Sequence, residues 1–312
     1  NMGPLSNPVS GLVFRDPKRW VVSKDGMGDA LTIQAGVDSA AADDTVFVVP
    51  GVYEESITLR GRDVVLLGSG PGETIVDARL ADSSCLRIIS GESRSTVVRG
   101  FTFTGGTGTH ASGYSGSGIL VFNACPQIIG NRITNNSAPA FGFGGGMYLG
   151  GTAACTPLVQ DNEIVSNSSG NGGGIAVSGM SKPEIRGNWI HNNSTTHGDG
   201  GGIWVNVAID GIVMDNNLFQ FNTAGDKGGG VVASLGTDAL PSIQITISNN
   251  VFFRNTSNRS SALGPSGGAL WMHRVDAWVH HNTFAFNQGF GSGDGTLGGG
   301  IAITKCPTSI IE

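Results

Sequence analysis

Four side chains near the middle of the chain have the types needed for acid–base chemistry: His197, Asp199, Asp226 and Lys227. Cleaving an acidic polysaccharide by elimination takes a base beside the sugar's C5 proton and a cation that quiets the neighbouring carboxylate. Lys227 with His197 has the groups for this. Asp199 with Asp226 has the hard oxygen ligands that suit a calcium ion. The plainer alternative is an Asp199–Lys227 ion pair on a solvated loop, worth little by itself. A second concentration, Trp271 to His281, gathers His, Arg and Asp but lacks an H-E-x-x-H spacing. His280 and His281 read as successive strand residues, which face opposite ways and are not expected to share a site.

The elements that position these residues repeat. A glycine precedes an apolar run at 118, 146, 174, 202, 230, 268 and 300, giving gaps of 28, 28, 28, 28, 38 and 32. A closing N-x-[I/F]-x-x-N motif follows, at Asn131/Asn136, Asn162/Asn167, Asn188/Asn193, Asn217/Asn222, Asn250/Asn255 and Asn282/Asn287. A fixed period of this size means stacked units. Each period holds three short apolar runs, too brief for helices, joined by Gly, Asn and Ser. Three strands per turn with tight bends make a parallel β-helix whose rungs lie about 4.8 Å apart. The asparagines then stand in columns, where Asn tolerates a left-handed bend and its amide reaches the amide one rung away.

In the strand after each glycine pair, Ile119, Met147, Ile175, Ile203, Val231, Ala269 and Ile301 are expected to face inward. Alternation turns Leu120, Tyr148, Trp204 and Leu270 outward, with Asn206 and Met272 in the next outward column. That stripe is a candidate polysaccharide-binding face, because large exposed apolar patches mark binding sites. The alternative is that loops fold back over it. Counting back three from the last glycine puts Phe143, Asn171, Asp199 and Lys227 in one column beside it.

Composition sets the outer bounds. Of 312 residues, 39% are hydrophobic, enough for a long core, and the 51 glycines carry no collagen-like period. The net charge of −6 with no basic run makes nucleic acid a poor partner. No apolar run of about 18 residues spans a membrane. Cys125 and Cys155 stand at nearly equal distances before Asn131 and Asn162, so they are neighbours on adjacent coils, either bridged or packed as thiols. Cys306 is too far away to join them.

Residues 1–18 read as a loose lead-in, and 19–312 as a single domain. Ile33, Val37, Ala40 and Ala41 fall on one helix face within residues 32–41, placing a lid over the open first coil. At the other end Ile310 is expected where Ile128, Val159 and Ile185 stand. The chain stops before the next bend asparagine, which suggests a fragment or an uncapped end available for homodimerisation.

Two resemblances add to this. Thr32-Ile33-Gln34-Ala35, Pro50-Gly51-Val52-Tyr53-x-Glu55 and Leu67-Gly68-Ser69-Gly70 with Thr74-Ile75-Val76-Asp77 resemble the opening coils of the pectin-lyase-like superfamily. Gly267-Gly268-Ala269-Leu270 with Phe284-Ala285-Phe286-Asn287 is similar to the GGA-[ILV] and FxxN repeats of polymorphic outer-membrane proteins, which are surface adhesins. The first resemblance implies a right-handed parallel β-helix and a carbohydrate-directed role. The catalytic signatures of pectinesterases and pectate lyases are absent, so it carries the fold and not one activity. The expectation is an all-β, right-handed parallel β-helix of about nine coils with an N-terminal capping helix. It would be secreted or at the cell surface and bind polysaccharide. The alternatives are a lyase, with or without calcium, and an adhesin or assembly module.

Overall fold

The computed structural model describes residues 15–109, 116–207, 209–235, 242–259, 266–291, 299–306 and 308–312. Most of the expected lead-in, residues 1–14, lies outside them. The chain winds into a solenoid of about nine coils, and among the described residues every strand pairing is parallel and joins one coil to the next. Sheet A has eleven strands, from Arg19–Val22 to Ile310–Ile311. Sheet B has nine, from Gly51–Tyr53 to Thr283–Ala285, and sheet C nine, from Ile57–Thr58 to Ile301–Thr304. Three strands per turn were expected. From Ser168–Ser169 onward five coils carry a fourth, short strand, forming sheet D down to Gln288–Gly291.

The core is the stack of inward residues. In sheet A, Ile128, Val159, Ile185, Met214, Ile247 and Val279 share one register column and are buried. Ile311, not Ile310, stacks on Val279; Ile310 lies against Trp278 on the outer side. In sheet B, Phe219, Phe252 and Phe284 stack with ring centroids 4.7 and 4.8 Å apart, close to the rung spacing.

Two asparagine columns hold the corners. Between sheets A and B they are Asn131, Asn162, Asn188, Asn217, Asn250 and Asn282; between B and D, Asn136, Asn167, Asn193, Asn222, Asn255 and Asn287. Between the end members of each column every side chain does the same work. Asn193 Oδ1 accepts from Asn167 N and Asn167 Nδ2, both at 3.0 Å. Its Nδ2 donates to Ile164 O at 2.8 Å and to Asn222 Oδ1 at 3.1 Å. Only an amide both donates and accepts at one atom pair in this way.

The left-handed backbone expected of these asparagines belongs to the residue before each. Before the first column stand Gly130, Asp161, Gly187, Asn216, Asn249 and His281, and before the second Asn135, Ser166, Asn192, Phe221, Arg254 and Phe286, all with φ between 53° and 64°. For anything but Gly, Asn or Asp this conformation costs roughly 1–2 kcal/mol. The ladder asparagine holds the corner while its neighbour bears the strain.

The lid helix runs Ile33–Ser39, shorter than expected, with Thr32 Oγ1 capping Ala35 N and Ile33, Gly36 and Val37 buried. The sequence elements shared with the pectin-lyase-like opening explain its seat. Glu55 accepts from Ile33 N at 2.8 Å and Gln34 N at 2.9 Å, satisfying the helix's first donors. The Gln34 amide pairs with Thr58 like a strand neighbour, accepting from Thr58 N at 2.8 Å and donating to Thr58 O at 3.1 Å. It closes the first edge of sheet C. Cys125 and Cys155 are bridged, with Cα atoms 5.6 Å apart, and weld adjacent coils. Cys85 is a buried free thiol, its pKa pushed up to about 12 by burial.

Truncating one rung of a ladder orphans several buried groups together. Asn193→Ala leaves the main-chain N–H of Asn167 and the carbonyl of Ile164 without these partners, an expected loss of about 3 kcal/mol or more. Asn193→Asp, which cannot donate, should do no better. Urea denaturation of the three proteins checks this.

Candidate functional site

Sheet C carries the expected site residues, and its register decides which are presented. Ile119, Met147, Ile175, Ile203, Val231, Leu270 and Ile301 form one inward column. Leu120, Tyr148, Ala176, Trp204, Val232, Trp271 and Ala302 form the outward one. Leu270 and Met272, expected outside, are therefore core residues, both fully buried. The cause is Gly267-Gly268-Ala269. Val231 N bonds to Ala269 O at 2.7 Å, as Ile203 N bonds to Gly230 O at 2.9 Å, so Ala269 stands in the third glycine's place. Counting from the last glycine misses by one. Trp271 and His273 take the outward positions instead; the W-x-H pattern, parallel to Trp204-x-Asn206, is the signal that finds them.

Nor does the first outward column lie open. Leu120 and Tyr148 are 5% and 2% exposed. The loop glycines fold the backbone of each coil directly onto the strand. Gly200 has φ +66°, and a Cβ there would stand 2.3 Å from Ile203 O and 2.9 Å from Trp204 Cα. Only glycine permits both the conformation and the approach. The result is a second apolar layer in two patches, Leu120/Tyr148/Ala176 and Val232/Trp271/Ala302, both touched by the partly buried Trp204. Phe143 from the covering loop stacks on Trp204 at 5.2 Å.

Sheet C nevertheless presents a polar line beyond this layer. Ser178, Asn206, Ser234, His273 and Thr304 follow one another on successive rungs, each partly exposed. Tyr148 Oη bonds Ser178 Oγ at 2.5 Å, and His273 Nδ1 bonds Thr304 Oγ1 at 2.8 Å. The Trp271 and His273 rings lie nearly parallel at 5.5 Å.

The charged residues come together beside this face. Asn171 Oδ1 accepts from Asp199 N at 2.9 Å and Asp199 Oδ1 from Lys227 N at 3.0 Å, so the expected loop column exists. Lys227 Nζ lies 2.9 Å from Asp226 Oδ2, 3.7 Å from Asp199 Oδ1 and 4.9 Å from the centre of the Trp271 ring. Lys227 thus sets the chain's own ammonium between the two aspartates. Among the described residues no group of three or more His, Cys, Asp or Glu gathers as a metal site. Burial pushes the Asp199 carboxyl above its ordinary range, with Lys227 pulling it down and Asp226 pushing it up. His197 is exposed, two residues along the loop from Asp199.

His280 and His281 do meet, against expectation, with their Nδ1 atoms 2.7 Å apart. His281 has φ 56°, and this bend swings its ring back beside His280, ending the strand alternation. The pair sits on sheet A, with Trp278 4.2 Å from His280, and not on the face of sheet C.

Comparison with known proteins agrees with this architecture. The family model described as a right-handed β-helix region matches residues 67–284, well over half of the 312, and the chain belongs to that family. The match supports the pectin-lyase-like β-helix reading of the sequence, and it begins at Leu67 within the opening coils. A curated relative, probable pectinesterase/pectinesterase inhibitor 17 of Arabidopsis thaliana, is 30% identical over 116 residues, covering 34% of this chain and 23% of the relative. The chain thus spans less than a quarter of that protein's length. A pectin methylesterase structure from carrot is 11% identical with a TM-score of 0.39, over 95% of this chain and 90% of that one. No helix among the described residues is long and apolar enough to cross a membrane.

Lys227 neutralises two partly buried carboxylates, so Lys227→Met leaves like charges facing each other. The raised Asp199 pKa means that the folded state binds its proton more tightly than the unfolded chain. That contribution favours folding as pH falls and opposes it near neutrality. The variant should therefore lose more stability at pH 7.5 than at pH 4.5, read as the gap in urea midpoint from the native chain.

Proposed function

We propose that this is a secreted, polysaccharide-binding β-helix protein that holds a pectin-like chain against the outer face of sheet C. The observation that carries the reading is the line Ser178–Asn206–Ser234–His273–Thr304, one polar side chain per rung beside Trp204. A polymer with regularly spaced hydroxyls meets regularly spaced donors and acceptors there, and Trp204 offers an apolar ring edge for a sugar face. The pectinesterase name of the partial relative points to the same substrate class. The Cys125–Cys155 bridge suits an oxidising, extracellular setting.

Binding is favoured over elimination because Lys227, one of the two groups the lyase reading needs, is already engaged by Asp199 and Asp226 and is not free to meet a sugar carboxylate.

Trp204→Ala and His273→Ala should each weaken retention of oligogalacturonides by about tenfold, the order of a lost stacking or charged hydrogen-bond contact. Calorimetry on both variants measures it, and unchanged affinity in both would remove the sheet C reading. Incubation with pectate should yield no unsaturated product, with or without calcium; its appearance would restore the lyase.

A further inference from the structure

The corner between sheets B and D changes character along the solenoid. The left-handed residue before the ladder asparagine is Asn135, Ser166 and Asn192 in three coils, then Phe221, Arg254 and Phe286 in the next three. Asparagine suits that backbone; phenylalanine and arginine bring it nothing. Burial does not account for them either, since Phe221 is 40% and Phe286 73% exposed, and Arg254 is exposed. The fold thus tolerates unfavourable residues at three consecutive rungs, and their side chains stand in solvent.

These side chains form one cluster. The Arg254 guanidinium lies 5.8, 5.2 and 5.9 Å from the ring centres of Phe221, Phe253 and Phe286. Phe253 meets Phe221 edge-on at 6.0 Å and Phe286 at 5.7 Å. Among the described residues no carboxylate pairs with Arg254. A planar fork of donors ringed by aromatic faces is left facing outward.

We propose that Phe221, Phe253, Arg254 and Phe286 form a second binding site, for a carboxylated sugar polymer running along the solenoid axis. A uronate unit supplies both halves of the match: a carboxylate for the guanidinium and an apolar C–H face for a phenyl ring. A purely apolar partner would cover the guanidinium without a counter-charge, which is costly. A second copy would bring a chain of net charge −6 against another of the same sign. The site lies on a different side of the coil from sheet C and does not rest on the reading of that face.

The test uses an oligogalacturonate and its carboxyl-reduced counterpart, titrated calorimetrically against the full chain and its variants. Phe221→Asn with Phe286→Asn installs the residue that Asn135 and Asn192 already place at this corner, so the variant should keep or raise its urea midpoint. In a Trp204→Ala background it should lose about tenfold in affinity for the acidic oligomer. Arg254→Gln should do the same for the acidic oligomer and leave the reduced one unchanged. Equal affinity with and without the phenylalanines, or no acidic binding once Trp204 is gone, overturns the proposal. So does a native dimer in sedimentation that the Phe variant converts to monomer, which would make a second copy the occupant. Loss on Phe substitution with none on Trp204→Ala alone would sink the sheet C reading and leave this one standing.

Discussion

Each buried asparagine of the corner columns accepts from the coil before it and donates both to that coil and to the next, and this exchange sets the register of the molecule. Because the bonds run between equivalent positions, a slip of one residue would place a side chain without a matching donor and acceptor in a dry corner. The apolar columns follow from it. Once the amides of Asn188 and Asn217 are locked, Ile185 and Met214 on one side and Ile190 and Phe219 on the other can only stack. Hydrophobic burial supplies the drive to coil, and the amides select one way of coiling.

The same register explains what the outer faces can offer. Parallel strands put like positions above one another, so a surface feature on one rung becomes a column over several. On sheet C the first such column is claimed by the protein itself, as glycine-led loops lie back on it and make a second apolar layer. What is left is polar and regular. At the corner between sheets B and D the column instead projects outward, with aromatic and guanidinium groups in place of asparagine.

The repeats, the parallel solenoid, the lid and the asparagine columns were all legible in the sequence, because they depend on periodic identity, which survives without coordinates. The loop column Phe143–Asn171–Asp199–Lys227 was legible for the same reason. Among the features that were not, three show why. The inward placement of Leu270 and Met272 turned on Ala269 standing in for a glycine, a substitution invisible to a count of glycines. The covering of Leu120 and Tyr148 depended on where loop backbone falls in space, which strand alternation does not encode. The meeting of His280 and His281 arose from one left-handed φ that breaks the alternation it was judged by.

The spacing between equivalent inward residues of sheet C is 28 from Ile203 to Val231, 39 from Val231 to Leu270 and 31 from Leu270 to Ile301, yet all four pair in register. Length is thus absorbed outside the paired strands. Evolution can lengthen these excursions, or copy an entire coil in tandem, and every amide column will still find its neighbour. Such a molecule diversifies by editing its loops and by genetic duplication, and its heritable unit of change is the single turn.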